Sequence, residues 1–119
     1  RQHRLLRKLM KNLVLALIFG LFSGLTAAHA DDLPTFRLLM KDGRITPETL
    51  EVPANTRFRL EVKNEGPGAA EFESLELKKE LVLAPGVTRT TVFAPMKPGA
   101  YKFFDDFHPE TGQGKIVAK

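Results

Sequence analysis

The sequence predicts an all-β sandwich of seven to eight short strands, preceded by a signal peptide. Glycine and proline recur at short intervals through residues 34–99, which leaves room only for short strands between them. Apolar and polar residues alternate between these breaks, as expected for strands with one buried face. Short strands separated by turn signals in this way are typical of two packed sheets.

The N-terminal segment has the three parts of a secretory signal. Basic residues up to Lys11 precede an apolar run at 13–28, and Ala28-His29-Ala30 supplies small residues where a signal peptidase cuts. A membrane anchor is the alternative, but Gly20 interrupts the run, which is also shorter than the roughly 20 apolar residues of a spanning helix. We therefore expect a periplasmic protein whose mature chain is not inserted in the membrane, with a signal peptide at 1–30 and one domain at 31–119.

Individual strands can be placed from the alternation. The clearest lies at 57–63, where Phe58 and Leu60 alternate with charged residues, and an earlier one covers 36–40. Segment 71–80 contains good helix formers, yet the alternation at its start favours a strand. Further strands are expected at 49–52, 72–77, 81–83, 88–93, 101–104 and 115–118.

Charge and cysteine content exclude several functions. Five of the 18 Lys and Arg residues, and none of the 14 Asp and Glu residues, lie in the signal segment, so the mature domain is near neutral. A nucleic-acid-binding role therefore loses its support. The chain contains no cysteine, which excludes disulfides and thiolate chemistry. His108 is the only histidine of the expected mature chain, and no common hydrolase, phosphate-loop or zinc-protease motif is present, so we expect a protein that is not an enzyme.

The C-terminal segment carries the most specific pattern. A Pro98-Gly99 turn leads into an aromatic strand that ends at Asp105, a polar loop follows, and a last strand begins after Gly114. This segment, PGAYKFFDDFHPETGQGKIV, resembles the metal loop of cupredoxins, whose fold is a Greek-key β-sandwich. The resemblance places Asp105 where the blue-copper cysteine stands, His108 at the loop histidine, Gln113 at the axial position and Glu71 at the upstream histidine.

A narrower resemblance follows from Glu71-Phe72-Glu73-Ser74 together with Asp105-Asp106-Phe107-His108. These segments are similar to those of the stand-alone cupredoxin-like proteins that accompany bacterial high-affinity iron permeases, which are related to the cupredoxin domain of EfeO-type iron-uptake proteins. The resemblance implies a periplasmic accessory protein of iron uptake. Its expected partners are an inner-membrane iron permease and a companion periplasmic iron-binding protein.

The residues themselves also indicate a metal site. Alternation along the last aromatic strand turns Asp105 inward with Tyr101 and Phe103, and a buried carboxylate needs a cation or a hydrogen-bond donor such as His108. One imidazole with several carboxylates suits Cu(II), iron or zinc rather than Cu(I). We expect a copper or iron ion, although the sequence does not fix the metal. The predicted ligands are Glu71, Asp105 and His108, with Glu73 and Asp106 as additional candidates.

Each of these residues also has an interpretation without metal. Asp105 and Asp106 can form a solvated turn pair, His108 can be an ordinary loop residue, and glutamates in strands are usually exposed. The alternative function is then a metal-free β-sandwich that acts as a periplasmic adaptor. Metal-assisted oxidation of Fe(II) to Fe(III) is a possible extension of the metal-binding hypothesis.

Overall fold

Two β-sheets form the domain in the computed structural model, which describes residues 33–119. The predicted all-β sandwich is confirmed, with nine strands and no helix in this range, whereas the predicted signal peptide at 1–30 lies outside the described residues. The strands are β1 (Thr35–Lys41), β2 (Arg44–Thr46), β3 (Thr49–Val52), β4 (Phe58–Asn64), β5 (Ala70–Ser74), β6 (Lys79–Leu83), β7 (Thr88–Phe93), β8 (Gly99–Asp105) and β9 (Gln113–Ala118).

The chain moves repeatedly between the two sheets. One sheet has the order β2-β1-β4-β7 and the other the order β3-β9-β8-β5-β6. Two neighbouring pairs, β1 with β4 and β3 with β9, are parallel, while the other pairs are antiparallel. Within residues 33–119 the structure contains no helix that is long and apolar enough to cross a membrane.

The core lies between the sheets and follows the alternation read from the sequence. Phe58, Leu60 and Val62 of β4 are completely buried, and the intervening residues face outward. Phe58 stacks on Phe93 of β7 with ring centroids 5.0 Å apart. Met40 is also buried in this core, as expected for a flexible apolar side chain that fills space.

Strand β2 was not expected from the sequence. Asp42 and Gly43 both have positive φ, 50° and 74°, and the residues that flank them, Lys41 and Arg44, are paired across the two strands. This is the two-residue hairpin turn that Asp-Gly favours, because glycine adopts positive φ at little cost. The short hairpin carries Ile45 into the core, where it is 2% exposed.

The ambiguous segment 71–80 is a β-hairpin. Strand β5 ends at Ser74 instead of reaching residue 77, because the Ser74 hydroxyl accepts a hydrogen bond from the Leu77 amide and donates one to the Lys102 carbonyl. Lys78 adopts φ of 54°, and β6 then begins at Lys79. Antiparallel pairing of β5 with β6 follows, so the helix formers in this segment are overridden by sheet contacts.

Candidate metal centre

Asp105, the last residue of β8, is a buried carboxylate with three hydrogen-bond donors. Asp105 is 1% exposed, and it lies opposite Phe72 of β5 on the inner face of the sheet. Oδ1 accepts hydrogen bonds from the backbone amides of Glu71 and Phe107, each at 3.0 Å. Oδ2 lies 2.9 Å from Nδ1 of His108. The donors compensate the cost of burying this carboxylate.

The loop after β8 holds His108 against Asp105. The His108 amide donates to the Asp105 carbonyl at 2.9 Å, and the Gly112 amide donates to the His108 carbonyl at 2.9 Å. The Asp105 amide in turn donates to the Gly112 carbonyl at 2.8 Å. An ionised carboxylate can only accept, so it places the proton of a neutral imidazole on Nδ1 and leaves Nε2 available. The His108 side chain is 44% exposed, so this nitrogen belongs to a ring that solvent reaches.

Two glycines allow the loop to approach the β1–β2 turn. A Cβ on Gly112 would lie 2.7 Å from Cβ of Asp105 and 3.0 Å from the Gly43 carbonyl oxygen, so any other residue here would force the loop or its neighbours to shift. A Cβ on Gly43 would lie 3.1 Å from Cδ2 of His108. Thr111 ties the two segments together by donating from its hydroxyl to the Gly43 carbonyl at 2.6 Å. Gly43, whose φ is positive, therefore packs directly against the imidazole ring of His108.

A small cavity of about 140 Å³ opens beside Asp105 and His108, between the β1–β2 turn and the β4–β5 loop. Buried Asn64 braces that loop: Nδ2 donates to the carbonyls of Gly68 and Leu83, and Oδ1 accepts from the Gly66 amide. The β5 residue that lines the cavity is Ala70, which provides no metal ligand. Alternation turns the next residue, Glu71, to the other face of the sheet.

A second group of acidic side chains lies on the outer face of the same sheet. One carboxylate oxygen from each of Glu71, Glu73 and Asp106 lies within 4.8 Å of the others. The main chain links this group to the inner pair, because the Asp106 amide donates to the Glu71 carbonyl at 2.9 Å. The two groups therefore lie back to back at one end of β5 and β8.

The outer carboxylates perturb one another. A hydrogen-bonding contact with Glu80, burial, and the charges of Glu80, Asp106 and Glu73 raise the pKa of Glu71 from 4.5 to about 7. Burial, followed by the charges of Asp106 and Glu80, raises the pKa of Glu73. Glu80 lies directly opposite Glu73 in the β5–β6 pairing, so β6 contributes a fourth carboxylate to this group.

The five residues singled out in the sequence are thus neighbours that form two groups. Asp105 and His108 meet on the inner face, whereas Glu71, Glu73 and Asp106 meet on the outer face. Sequence reasoning did not find Glu80, although the β-hairpin register pairs it with Glu73 once the turn at 75–78 is recognised. Gln113, aligned with the axial position, donates from Nε2 to the Pro109 carbonyl at 2.7 Å and pairs with outward-facing Phe104.

These donors fit some metals and not others. A blue-copper centre requires a cysteine thiolate, and the chain has none. The inner pair offers an imidazole oriented by a carboxylate, and the outer group offers carboxylate oxygens alone. Such nitrogen and oxygen donors suit Cu(II) or iron rather than Cu(I).

Comparison with known proteins identifies the family. Residues 13–118 match the family described as Cupredoxin-like domain. The chain is 37% identical over 87 residues to an uncharacterised protein of Rickettsia prowazekii (strain Madrid E), an alignment that covers 73% of this chain and 70% of that protein.

Solved structures agree with this assignment at the level of the fold. Dithionite-reduced auracyanin from Roseiflexus castenholzii has a TM-score of 0.61 at 13% identity, with 71% of this chain and 96% of auracyanin covered. The metal-binding domain of the Cu(I)-exporting ATPase CopA of Streptococcus pneumoniae D39, solved with Cu(I), has a TM-score of 0.62 at 13% identity. The match covers 76% of this chain and 89% of the CopA domain. From the family match, the Rickettsia relative and the shared fold, we conclude that this chain belongs to the cupredoxin-like domain family.

Proposed function

We propose that this protein is a periplasmic metal-binding accessory protein of iron uptake, and that His108 is the principal ligand of a copper or iron ion. The observation that carries the proposal is the 2.9 Å contact between Asp105 Oδ2 and His108 Nδ1 at the end of β8. Family membership supports it, because the cupredoxin-like fold serves mostly as a scaffold for metal binding or electron transfer.

The Asp105–His108 pair has the chemistry of an oriented metal ligand. Histidines that bind metals usually donate the N–H of the other ring nitrogen to a carboxylate, which fixes the ring and makes the ligating nitrogen more basic. Here Nδ1 is held by Asp105, so Nε2 is the nitrogen that binds the ion. Asp105 acts through His108, and its own oxygens already accept three hydrogen bonds.

The role in iron uptake rests on the resemblance of the segments at 71–74 and 105–108 to cupredoxin-like proteins that accompany iron permeases. The proposed partners are an inner-membrane iron permease and a companion periplasmic iron-binding protein. The signal-like segment at 1–30 supports export to the periplasm. Deleting the gene should slow uptake of radiolabelled iron through the permease, and a plasmid encoding His108→Ala should not restore it.

Titration calorimetry with Cu(II) and with Fe(II) under anaerobic conditions tests the metal-binding part. We expect His108→Ala to abolish binding at this centre and Asp105→Asn to weaken it, whereas Glu110→Gln, an exposed carboxylate of the same loop, should change nothing. Copper-loaded protein should be pale, because the intense absorption near about 600 nm of blue-copper centres comes from a cysteine thiolate. Equal affinities for the wild type and His108→Ala would refute the assignment.

A metal-free periplasmic adaptor is the second candidate, and one observation favours it. Within residues 33–119 every buried side-chain nitrogen and oxygen has a hydrogen-bond partner, so the inner pair is stable without an ion. Absence of Cu(II) and iron binding by the wild type, together with capture of a periplasmic partner, would favour this candidate.

A further inference from the structure

An open cavity of about 730 Å³ lies at the end of the sandwich opposite His108, and we call it the distal cavity. The cavity beside His108 is lined by Asn64, the last residue of β4, and by Ala70, the first residue of β5. The distal cavity is lined instead by Arg57, which precedes β4, and by the turn at 76–78, which follows β5. Sites for small molecules have volumes of roughly 300–1,000 Å³, so the distal cavity has the size of a ligand site.

The floor of the distal cavity is apolar. Phe93 and Met96, which line it, are core residues that are 2% and 7% exposed, and Leu77 of the β5–β6 turn packs against the same core. Ala94 and Pro95 extend this surface toward solvent. These side chains offer a preformed surface to the apolar part of a ligand.

Three basic side chains, those of Arg57, Lys78 and Lys79, line the same cavity. None of the four ion pairs within residues 33–119 includes any of them. The single carboxylate of the lining belongs to Glu76, which accepts a hydrogen bond from the Lys102 amide at 3.3 Å. Three positive charges against one negative charge make the cavity attractive to an anion.

Lys79 is the basic side chain whose position is fixed. Its ammonium group donates hydrogen bonds to the Val92 carbonyl at 3.0 Å and to the Thr91 hydroxyl at 3.3 Å, and it lies 5.2 Å from the centroid of the Phe93 ring. All three partners are uncharged. An ammonium group has three N–H donors, so one donor remains for a ligand. Because Lys79 is half-buried and already ordered, binding an anion there costs less entropy than binding one to a mobile surface lysine.

We propose that the distal cavity binds a small organic anion that has an apolar body and one acidic group. The apolar body packs on Phe93, Met96 and Leu77, and the acidic group accepts a hydrogen bond from the Lys79 ammonium. The charge of the lining selects the anion over a neutral molecule of the same shape. The distal cavity shares no residue with the cavity beside His108, so this inference is independent of metal binding there.

Fluorescence titration with a matched pair of probes tests the proposal at about pH 7.5. The first probe is 8-anilinonaphthalene-1-sulfonate, which has an aromatic body and one sulfonate. The second is N-phenyl-1-naphthylamine, which has the same rings without the sulfonate. We expect saturable binding of the sulfonate probe to one site, and binding of the neutral probe that is weaker by about tenfold or more, since a hydrogen bond to a charged group is lost.

Two variants locate the binding site. Lys79→Met removes the fixed ammonium group and should weaken binding of the sulfonate probe by about tenfold or more, while leaving binding of the neutral probe unchanged. Arg57→Gln removes an exposed charge of the lining without disturbing the hydrogen bonds of Lys79, and should weaken binding of the sulfonate probe by about threefold. Circular dichroism of each variant verifies the fold.

Lys115→Met is the matched control, because Lys115 is an exposed lysine that lines a different cavity, of about 580 Å³, beside β8 and β9. This variant should bind the sulfonate probe as the wild type does. Equal affinity of the wild type for the two probes would mean that apolar surface alone binds them, and would overturn the proposal. Absence of saturable binding would overturn it too, as would sulfonate binding that is unchanged in both Lys79→Met and Arg57→Gln or lost in Lys115→Met.

Discussion

Asp105 and Asp106 are adjacent in the sequence and occupy opposite environments. Asp105 points into the sandwich and accepts three hydrogen bonds, from two backbone amides and one imidazole. Asp106 points outward into solvent and lies beside the carboxylates of Glu71 and Glu73. The more deeply buried aspartate is thus the better compensated one.

The comparison shows that partners, rather than exposure alone, decide whether a carboxylate is stable at a given place. Burial penalises a charge, but amide and imidazole donors offset that penalty for Asp105. Glu71 is also buried, yet its side-chain neighbours are acidic, and its pKa is raised to about 7. The inner face therefore stabilises a charge that the outer face destabilises.

The largest expected effect comes from removing the inner carboxylate. Asp105→Ala leaves the buried amide of Glu71, the amide of Phe107 and the imidazole of His108 without their acceptor, and we expect a loss of about 3 kcal/mol or more in the free energy of unfolding. Asp106→Ala should change it by no more than about 0.5 kcal/mol. Urea denaturation of both variants without added metal measures the difference, and equal effects would invalidate the comparison.

The next effect concerns the glycine that lets the loop approach Asp105. Gly112→Ala would place a Cβ 2.7 Å from Cβ of Asp105, so the loop must move and the Asp105–His108 contact must loosen. We expect a cost of about 1–3 kcal/mol. Gly68→Ala is the matched control, because a Cβ there meets nothing within 4 Å and its φ is not positive. Denaturation curves that coincide for the two variants would show that the loop is not tightly packed.

A smaller, pH-dependent effect is expected on the outer face. The pKa of Glu71 is higher in the folded chain, about 7, than its ordinary value of 4.5, so the folded state binds its proton more tightly. The resulting stabilisation is fully present below about pH 4.5 and is lost as pH rises through about 7. Glu71→Gln removes this titration, and its melting temperature should rise relative to that of the wild type between about pH 5.5 and about pH 8.

Glu110→Gln provides the control for that measurement, because its melting temperature should follow that of the wild type at every pH. A constant difference between Glu71→Gln and the wild type across the range would mean that the carboxylates of the outer face do not share protons.

Much of the fold could be predicted from the sequence because it depends on short-range patterns. Alternation in β4 correctly placed Phe58, Leu60 and Val62 in the core. Strand β2 was missed because three residues are too few for a periodic signal, although Asp42-Gly43 was a usable turn signal.

The arrangement of the site was harder to predict from the sequence, because it depends on the register between distant strands. Alternation correctly turned Asp105 inward, but the position of Glu71 relative to it depends on the pairing of β5 with β8, two strands distant in sequence. That pairing sets Phe72 opposite Asp105 and therefore directs Glu71 outward. A shift of one residue would have exchanged the two faces, which a single sequence does not reveal.

The most direct test of a His108-centred metal site is the melting temperature with and without Cu(II), measured at about pH 7.5 and about pH 5. An ion that binds only the folded chain stabilises it by about 2.7 kcal/mol at a hundredfold excess over Kd. For a domain of this size the melting temperature should rise by roughly 10 °C at the higher pH. The rise should shrink at the lower pH, because a histidine binds metal only when neutral.

His108→Ala should lose both the rise and its pH dependence, while Glu80→Gln, which alters only the outer face, should keep them. That pattern would establish His108 as the ligand and separate it from the outer group. A Cu(II)-induced rise that is absent at about pH 7.5, or that persists unchanged in His108→Ala, would contradict the account.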